Sequence, residues 1–192
     1  MIGEWSVRDL PDPALRGQKT KLKENIEMRK DQNKVTFIAY GAVIAALYVV
    51  LTLPFASFAL GVVQFRFAEA LTILPYFTPA AIPGLTIGCF LANLLSGAAA
   101  LDVVFGSLAT LIGACLSYLL RRNKWLVCVP PILSNTIIIP WVLRYAYGAA
   151  ETIPYQMFTI GLSEIVAVGI LGNLLLTVLL PLRNTLFEKC HA

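Results

Sequence analysis

Along most of the chain, hydrophobic residues come in long stretches that no charge interrupts. Uncharged runs cover residues 35–65, 70–101, 103–120, 125–143 and 165–182. About 18 apolar residues in a row read as a membrane-spanning helix, because roughly 20 residues cover a hydrocarbon core ~30 Å thick. A buried soluble core has no need of five such runs. Prolines cut them into elements, since the ring removes an N–H and collides with the preceding turn. The first helix is predicted over 35–53, ending at Pro54. Pro75, Pro79 and Pro83 break the long second run, which places helices near 62–77 and 81–96. Three more follow, over 101–120, 125–147 and about 156–180, with Pro130, Pro131 and Pro140 expected to bend the fifth. The pattern therefore predicts an all-α integral membrane protein, a six-transmembrane-helix bundle over residues 35–183.

Composition agrees and adds orientation. Hydrophobic residues make up 58% of the 192, above the roughly 45–50% usual in soluble domains. Fourteen of the twenty-six Asp, Glu, Lys and Arg residues lie in the first 34 positions. Six spans put both termini on one side. With the N-terminus inside, the cytoplasmic segments hold Lys34, the Arg121-Arg122-Asn123-Lys124 turn, Arg183 and Lys189, whereas the opposite loops hold Asp102 and Glu151, with Arg66 and Arg144 near helix ends. That asymmetry follows the positive-inside rule, so both termini are expected in the cytoplasm of a multi-pass cell-membrane protein. The net charge of +4 reports this topology and gives no reason to expect nucleic-acid binding.

Residues 1–34 are polar and mixed in charge, without a sustained apolar helical face. They read as a cytosolic extension with no fold of its own, and residues 184–192 as a cytosolic tail. No apolar core of a secretory signal is present. Met28 opens a basic lead-in to the first span and is a candidate true start, since codons for Lys23-Glu24 can form a ribosome-binding sequence.

The chemistry missing from the sequence narrows the function. It has no G-x-x-x-x-G-K-[ST] phosphate loop. The single histidine, His191, is next to last, so neither a metal cluster nor histidine-based catalysis is expected. Cys89, Cys115, Cys128 and Cys190 have no paired spacing, and the first three fall in helices, where cysteine is commonly a small packing residue. No cofactor is expected.

Polar residues inside the spans remain, and an ionisable group there is a functional-site hypothesis. In the inferred topology Gln64, Arg66, Glu69, Asn93, Asp102, Trp141, Arg144, Tyr145 and Glu164 lie in the outer half of the bundle, with Asn135 near mid-depth. This distribution suggests a cup that opens outward and stops. Each residue has a plainer reading. Arg66 and Glu69 are i,i+3 neighbours that either neutralise each other or meet a ligand. Asp102 either caps the fourth helix or binds. Trp141 and the tyrosines suit an interfacial belt as well as stacking, Arg144 suits snorkelling, and Asn135 suits interhelical packing. Glu164, flanked by Leu162, Ile165 and Val166, has no basic residue within a turn and needs a partner from another helix or a ligand. Small residues four apart, Ala42 and Ala46 in the first helix and Gly84, Gly88 and Ala92 in the third, mark faces of close approach. They serve either internal packing or docking of another membrane protein.

Three segments, Gln64-Phe-Arg-Phe-Ala-Glu-Ala-Leu, Leu74-Pro-Tyr-Phe-Thr-Pro-Ala-Ala-Ile-Pro-Gly-Leu and Leu101-Asp-Val-Val-Phe-Gly-Ser-Leu-Ala-Thr, closely resemble the queuosine-precursor transporters. These are substrate-binding S components of energy-coupling factor (ECF) transporters, and the likeness runs from about Lys34 to Arg183. The resemblance implies a six-helix bundle that captures a micronutrient from outside. A transmembrane T component and two cytosolic ATPases then drive release, and Ala42 and Ala46 face the T component. The implied ligand is a 7-deazaguanine, the aminomethyl form expected. Its guanine edge suits a carboxylate, its ammonium a second carboxylate and its flat ring Trp141. The expected binding residues are Glu164, Asn135, Asp102, Glu69, Arg66 and Trp141. Alternatives are an S component for another vitamin, a stand-alone secondary transporter, which calls for polar residues through both leaflets, and a membrane-embedded lipid enzyme, which calls for clustered acid, base or metal residues.

Overall fold

The computed structural model describes residues 13–55 and 66–187. Gln64 and most of the tail expected over 184–192 lie outside these. Every regular element among the described residues is helical. α1 spans Pro13–Thr52, α2 Ala81–Leu95, α3 Ala100–Leu119, α4 Val129–Ala146, α5 Ile153–Glu164, α6 Asn173–Leu179 and α7 Arg183–Phe187. A 3-10 segment, Phe67–Tyr76, stands between α1 and α2, and a π-helical segment, Ile165–Gly172, joins α5 to α6 in one continuous rod.

α1 starts 22 residues before the span predicted from Val35. Its N-terminal part corrects the expectation that nothing folds before residue 35. The polar residues from 18 to 32 are exposed along it, so no apolar face anchors them to the bundle. The predicted helix at 62–77 appears as the 3-10 segment, an unusual length for a geometry normally confined to 3–4 residues. Two local features favour the tight winding. Pro75 has no N–H for an α-type bond, and the Thr72 hydroxyl donates to the Glu69 carbonyl at 2.6 Å, three residues back. The segment is nonetheless the centre of the molecule: Ala68, Glu69, Leu71, Thr72, Ile73, Leu74 and Pro75 are all buried. It packs on α1, α2, α3, α6 and the π segment.

Pro130 and Pro131 bend nothing. They occupy the first turn of α4, where an unused N–H is the rule and a fixed φ helps the helix begin. Pro140 lies inside that helix. α1–α2, α2–α3, α3–α4 and α4–α5 pack as neighbours. α1 meets α2 through Gly84 and Gly88: a Cβ at Gly84 would stand 2.7 Å from the Gly41 carbonyl oxygen, and one at Gly88 would stand 2.8 Å from the Tyr48 Cβ. That stripe is therefore internal packing. Ala42 and Ala46 project from a different side of α1 and are exposed.

Four helical stretches are long and apolar enough to cross a bilayer: Gln18–Phe55, Ala100–Leu119, Leu126–Ala146 and Ile153–Leu179. α2 is apolar but shorter. The surface is rich in large hydrophobics, including Leu119, Phe158, Ile170 and Leu174, while Glu69, Asp102 and Glu164 are buried. Apolar outside and charged inside inverts the soluble pattern and fits a protein whose surroundings are lipid. The chain is a multi-pass membrane protein.

Candidate functional site

The buried charges gather in two connected clusters. One is a cleft lined by Arg66 and Glu69 from the 3-10 segment, Asn135 and Ile139 from α4, and Ile160 and Glu164 from α5. Arg66 is the residue just before the 3-10 segment, and Glu69 lies in its first turn. Asn135 and Ile139, one turn apart, present one face of α4, and Ile160 and Glu164 do the same on α5. Glu164 is also where the rod changes from α to π winding. Such widened turns recur at functional sites because they re-aim side chains without ending the helix.

Within the cleft, the Tyr48 hydroxyl donates to Glu69 Oε1 at 2.6 Å. The Asn135 amide donates to Glu164 Oε1 at 2.9 Å. Each carboxylate thus has one oxygen held by the protein. The other oxygen of each, Glu69 Oε2 and Glu164 Oε2, is buried without a hydrogen-bond partner. Leaving a buried polar oxygen unpaired costs about 1–3 kcal/mol, and more when the group is charged. Two such atoms in one cleft form a matched acceptor pair. The cleft is narrow: a water-sized sphere has only about 10 Å³ in which to move, about enough for one water. A ring-sized ligand therefore needs the lining side chains to part.

The second cluster centres on Asp102. Arg66 Nη2 lies 3.5 Å from Asp102 Oδ2, both side chains nearly buried. The Tyr147 hydroxyl donates to the same oxygen at 3.0 Å, and the Ala99 N–H donates to the Tyr147 oxygen at 3.0 Å. The Asn93 amide donates to the Asp102 carbonyl at 3.3 Å, tying α2 to α3. Asp102 Oδ1 is a third buried carboxylate oxygen without a partner. Arg66 belongs to both clusters and links them.

Five of the six binding residues expected from sequence therefore converge: Arg66, Glu69, Asp102, Asn135 and Glu164. Trp141 does not join them. It lines an apolar groove between α3 and α4, stacked on Tyr145 with ring centroids 6.3 Å apart. The reason is angular, since Trp141 lies six residues beyond Asn135, about 240° further around α4. Arg66 pairs with Asp102, correcting the i,i+3 reading with Glu69. Asp102 does not cap α3: Ala99 holds that position and Asp102 stands in the first turn. Arg144 donates to the Ala149 carbonyl at 2.9 Å, outside the cleft. Two residues escaped the sequence reading. Tyr48 is polar at one atom only, and about one turn from the outer end of its span it reads as one more interfacial tyrosine, so no signal set it apart. Gln156, two turns before Glu164 on α5, is buried with Oε1 unpartnered.

Among the described residues no group of three or more His, Cys, Asp or Glu side chains is placed to hold a metal. Residues 38–181 match the protein-family profile described as QueT transporter. A curated protein of Lactococcus lactis subsp. cremoris (strain MG1363), "Queuosine precursor transporter QueT", is 40% identical over 81 residues, 41% of this chain and 47% of that protein. The aligned part thus spans about half the length of that relative. No solved structure matches the chain. The profile covers every cleft residue and most of the described bundle, and on that basis the chain belongs to the QueT transporter family.

Proposed function

We propose that the chain is the substrate-binding S component of an ECF-type importer in the cell membrane, with six spans and both termini cytoplasmic. It captures a 7-deazaguanine precursor of queuosine, 7-aminomethyl-7-deazaguanine in particular, from outside. The observation that carries this reading is the acceptor pair, Glu69 Oε2 and Glu164 Oε2, buried in one cleft beside Arg66 and Asn135. A guanine edge offers two adjacent N–H donors, and Glu164 accepts them. The aminomethyl ammonium is a third, cationic donor, and Glu69 accepts it. Arg66 and Asn135 offer N–H groups to the ring carbonyl. Asp102 and Tyr147 hold Arg66 in place. Family membership supports the substrate class, and the exposed Ala42–Ala46 side of α1 supports docking on a T component. Two cytosolic ATPases, absent from this sequence, supply the energy.

Calorimetry on the detergent-solubilised chain tests the substrate. The aminomethyl deazaguanine should bind, and guanine, lacking the ammonium, should bind at least about tenfold more weakly, the equivalent of ~1.4 kcal/mol. Equal affinity for the two would remove Glu69 from its assigned role. No binding of either would sink the substrate assignment.

A further inference from the structure

The end of the bundle opposite the carboxylate clusters has its own open cleft, lined by Tyr76, Arg121, Arg122 and Arg183, with a volume of about 300 Å³. α3 fixes how far apart the two ends are. Asp102 lies in its first turn and Arg121 just past its C-terminus, and its 20 residues measure ~30 Å, about one hydrocarbon thickness. The three guanidinium groups converge from separate places in the chain. Arg121 and Arg122 follow α3, and Arg183 opens α7, the helix after the continuous rod. The Arg121 guanidinium lies 4.1 Å from the centroid of the Tyr118 ring, which pre-positions it. The two ion pairs among the described residues, Lys34–Asp31 and Arg66–Asp102, involve none of the three. Three like charges held together, with no carboxylate paired to them among the described residues, repel one another, and an anion relieves that repulsion.

The surroundings identify the anion's source. Leu119 and Leu120 precede Arg121, and Leu182 precedes Arg183; all three leucines are exposed. Trp125, also exposed, follows the Arg121-Arg122 turn. The cationic cleft is thus continuous with an apolar, lipid-facing surface, so an occupant finds a phosphate site at one end and hydrocarbon contact at the other. Arginine forks match phosphate oxygens two at a time, and the Tyr76 hydroxyl adds a further donor. Basic clefts at the ends of membrane helices are suited to acidic headgroups. We infer that this cleft is a specific site for the phosphate of an anionic phospholipid headgroup, anchoring the bundle at the interface opposite the carboxylate cleft.

Native mass spectrometry of the full chain, released from detergent in the presence of phosphatidylglycerol or phosphatidylcholine, tests this. The chain should retain phosphatidylglycerol in preference to phosphatidylcholine. The double variant Arg121→Gln/Arg183→Gln should weaken that retention on the order of tenfold, while Lys19→Gln/Lys21→Gln, an equal loss of charge on the exposed N-terminal part of α1, should leave it intact. Melting in detergent shows whether the arginine variant is folded; if it is not, the single variant Arg122→Gln is read in its place. Excess inorganic phosphate should not displace the lipid. Equal retention of the two lipids, equal effects of the two double variants, or displacement by inorganic phosphate alone would each overturn the assignment, the last making the site one for a free anion.

Discussion

At the scale of single residues, the carboxylates of the cleft are each half satisfied. Glu164 gives one oxygen to Asn135 and keeps the other free in the cleft. Glu164→Gln keeps the size but replaces an acceptor by a donor, which opposes the guanine-edge donors. Each charge-assisted bond is worth roughly 1.5–3 kcal/mol, so affinity for the deazaguanine should fall on the order of a hundredfold. The fold should survive, because the change removes a buried charge. Calorimetry together with melting separates the two effects, and binding within a few-fold of the parent would make Glu164 structural. Tyr48→Phe tests the other side of the cleft. It strips Glu69 Oε1 of its short bond and leaves that buried oxygen without its hydroxyl donor. Loss of about 1–3 kcal/mol of stability is expected, measured as a lowered melting temperature in detergent. Bound ligand should restore part of it, since the ammonium supplies a donor to Glu69.

At the scale of elements, two sets of small residues on α1 and α2 sit in opposite surroundings, one buried and one exposed. Gly84 and Gly88 let the backbones of α1 and α2 meet, with Gly41, Ala45 and Tyr48 on the other side. Gly88→Ala would put a methyl group 2.8 Å from the Tyr48 Cβ and 3.0 Å from the Ala45 backbone, atoms that cannot swing away. Overpacking of this kind costs about 1–3 kcal/mol. Because Tyr48 also holds Glu69, the same substitution should reduce ligand affinity along with the melting temperature. Ala42→Leu and Ala46→Leu, on the exposed side, should leave both unchanged and instead weaken co-purification with the T component. An unchanged yield of complex would place the T component on another face. The 3-10 and π segments face each other at the centre of the bundle. A narrow helix against a wide one lets Glu69 and Glu164 reach a common cleft from elements that otherwise pack closely.

At the scale of the whole molecule, the ionisable side chains are sorted toward the two ends. The acidic clusters occupy one end, the basic cleft the other, and the core between them is formed by residues such as Ile73, Leu74, Leu85, Cys89, Ala114 and Val168. Buried polar residues between the ends, Ser107, Thr110 and Ser117 on α3 among them, carry no charge, which agrees with the proposed receptor role. Proteoliposomes holding this chain alone should therefore bind ligand without accumulating it under an ion gradient, and uptake should appear only with the T component, the ATPases and ATP. Accumulation driven by the gradient alone would make the protein a secondary transporter. Removing residues 1–27 should alter neither binding nor uptake, since the described part of that stretch has no apolar anchoring face; loss of binding in the truncated chain would reveal a role for the N-terminal part of α1.

Hydrophobic run length and proline positions alone determined that the chain is helical and multi-pass, because lipid demands that backbone groups be satisfied within each span. The boundaries of α2 and α3 fall within a residue of those expected. Isolated charges in apolar runs also pointed to Arg66, Glu69, Asp102 and Glu164, and an isolated amide to Asn135, since a polar group so placed is costly wherever it ends up. What the sequence could not decide is pairing. Whether Arg66 turned to Glu69 or to Asp102 depended on where α3 lies beside the 3-10 segment, and no spacing within one element encodes that. Tyr48 became part of the cleft only because α1 packs close enough to the 3-10 segment for its hydroxyl to reach Glu69. Trp141 was lost to the lipid-facing groove because the rotation of α4 is set by its neighbours, which turn Asn135 inward and carry the indole out. Periodicity places residues on a face; only tertiary packing decides what that face meets.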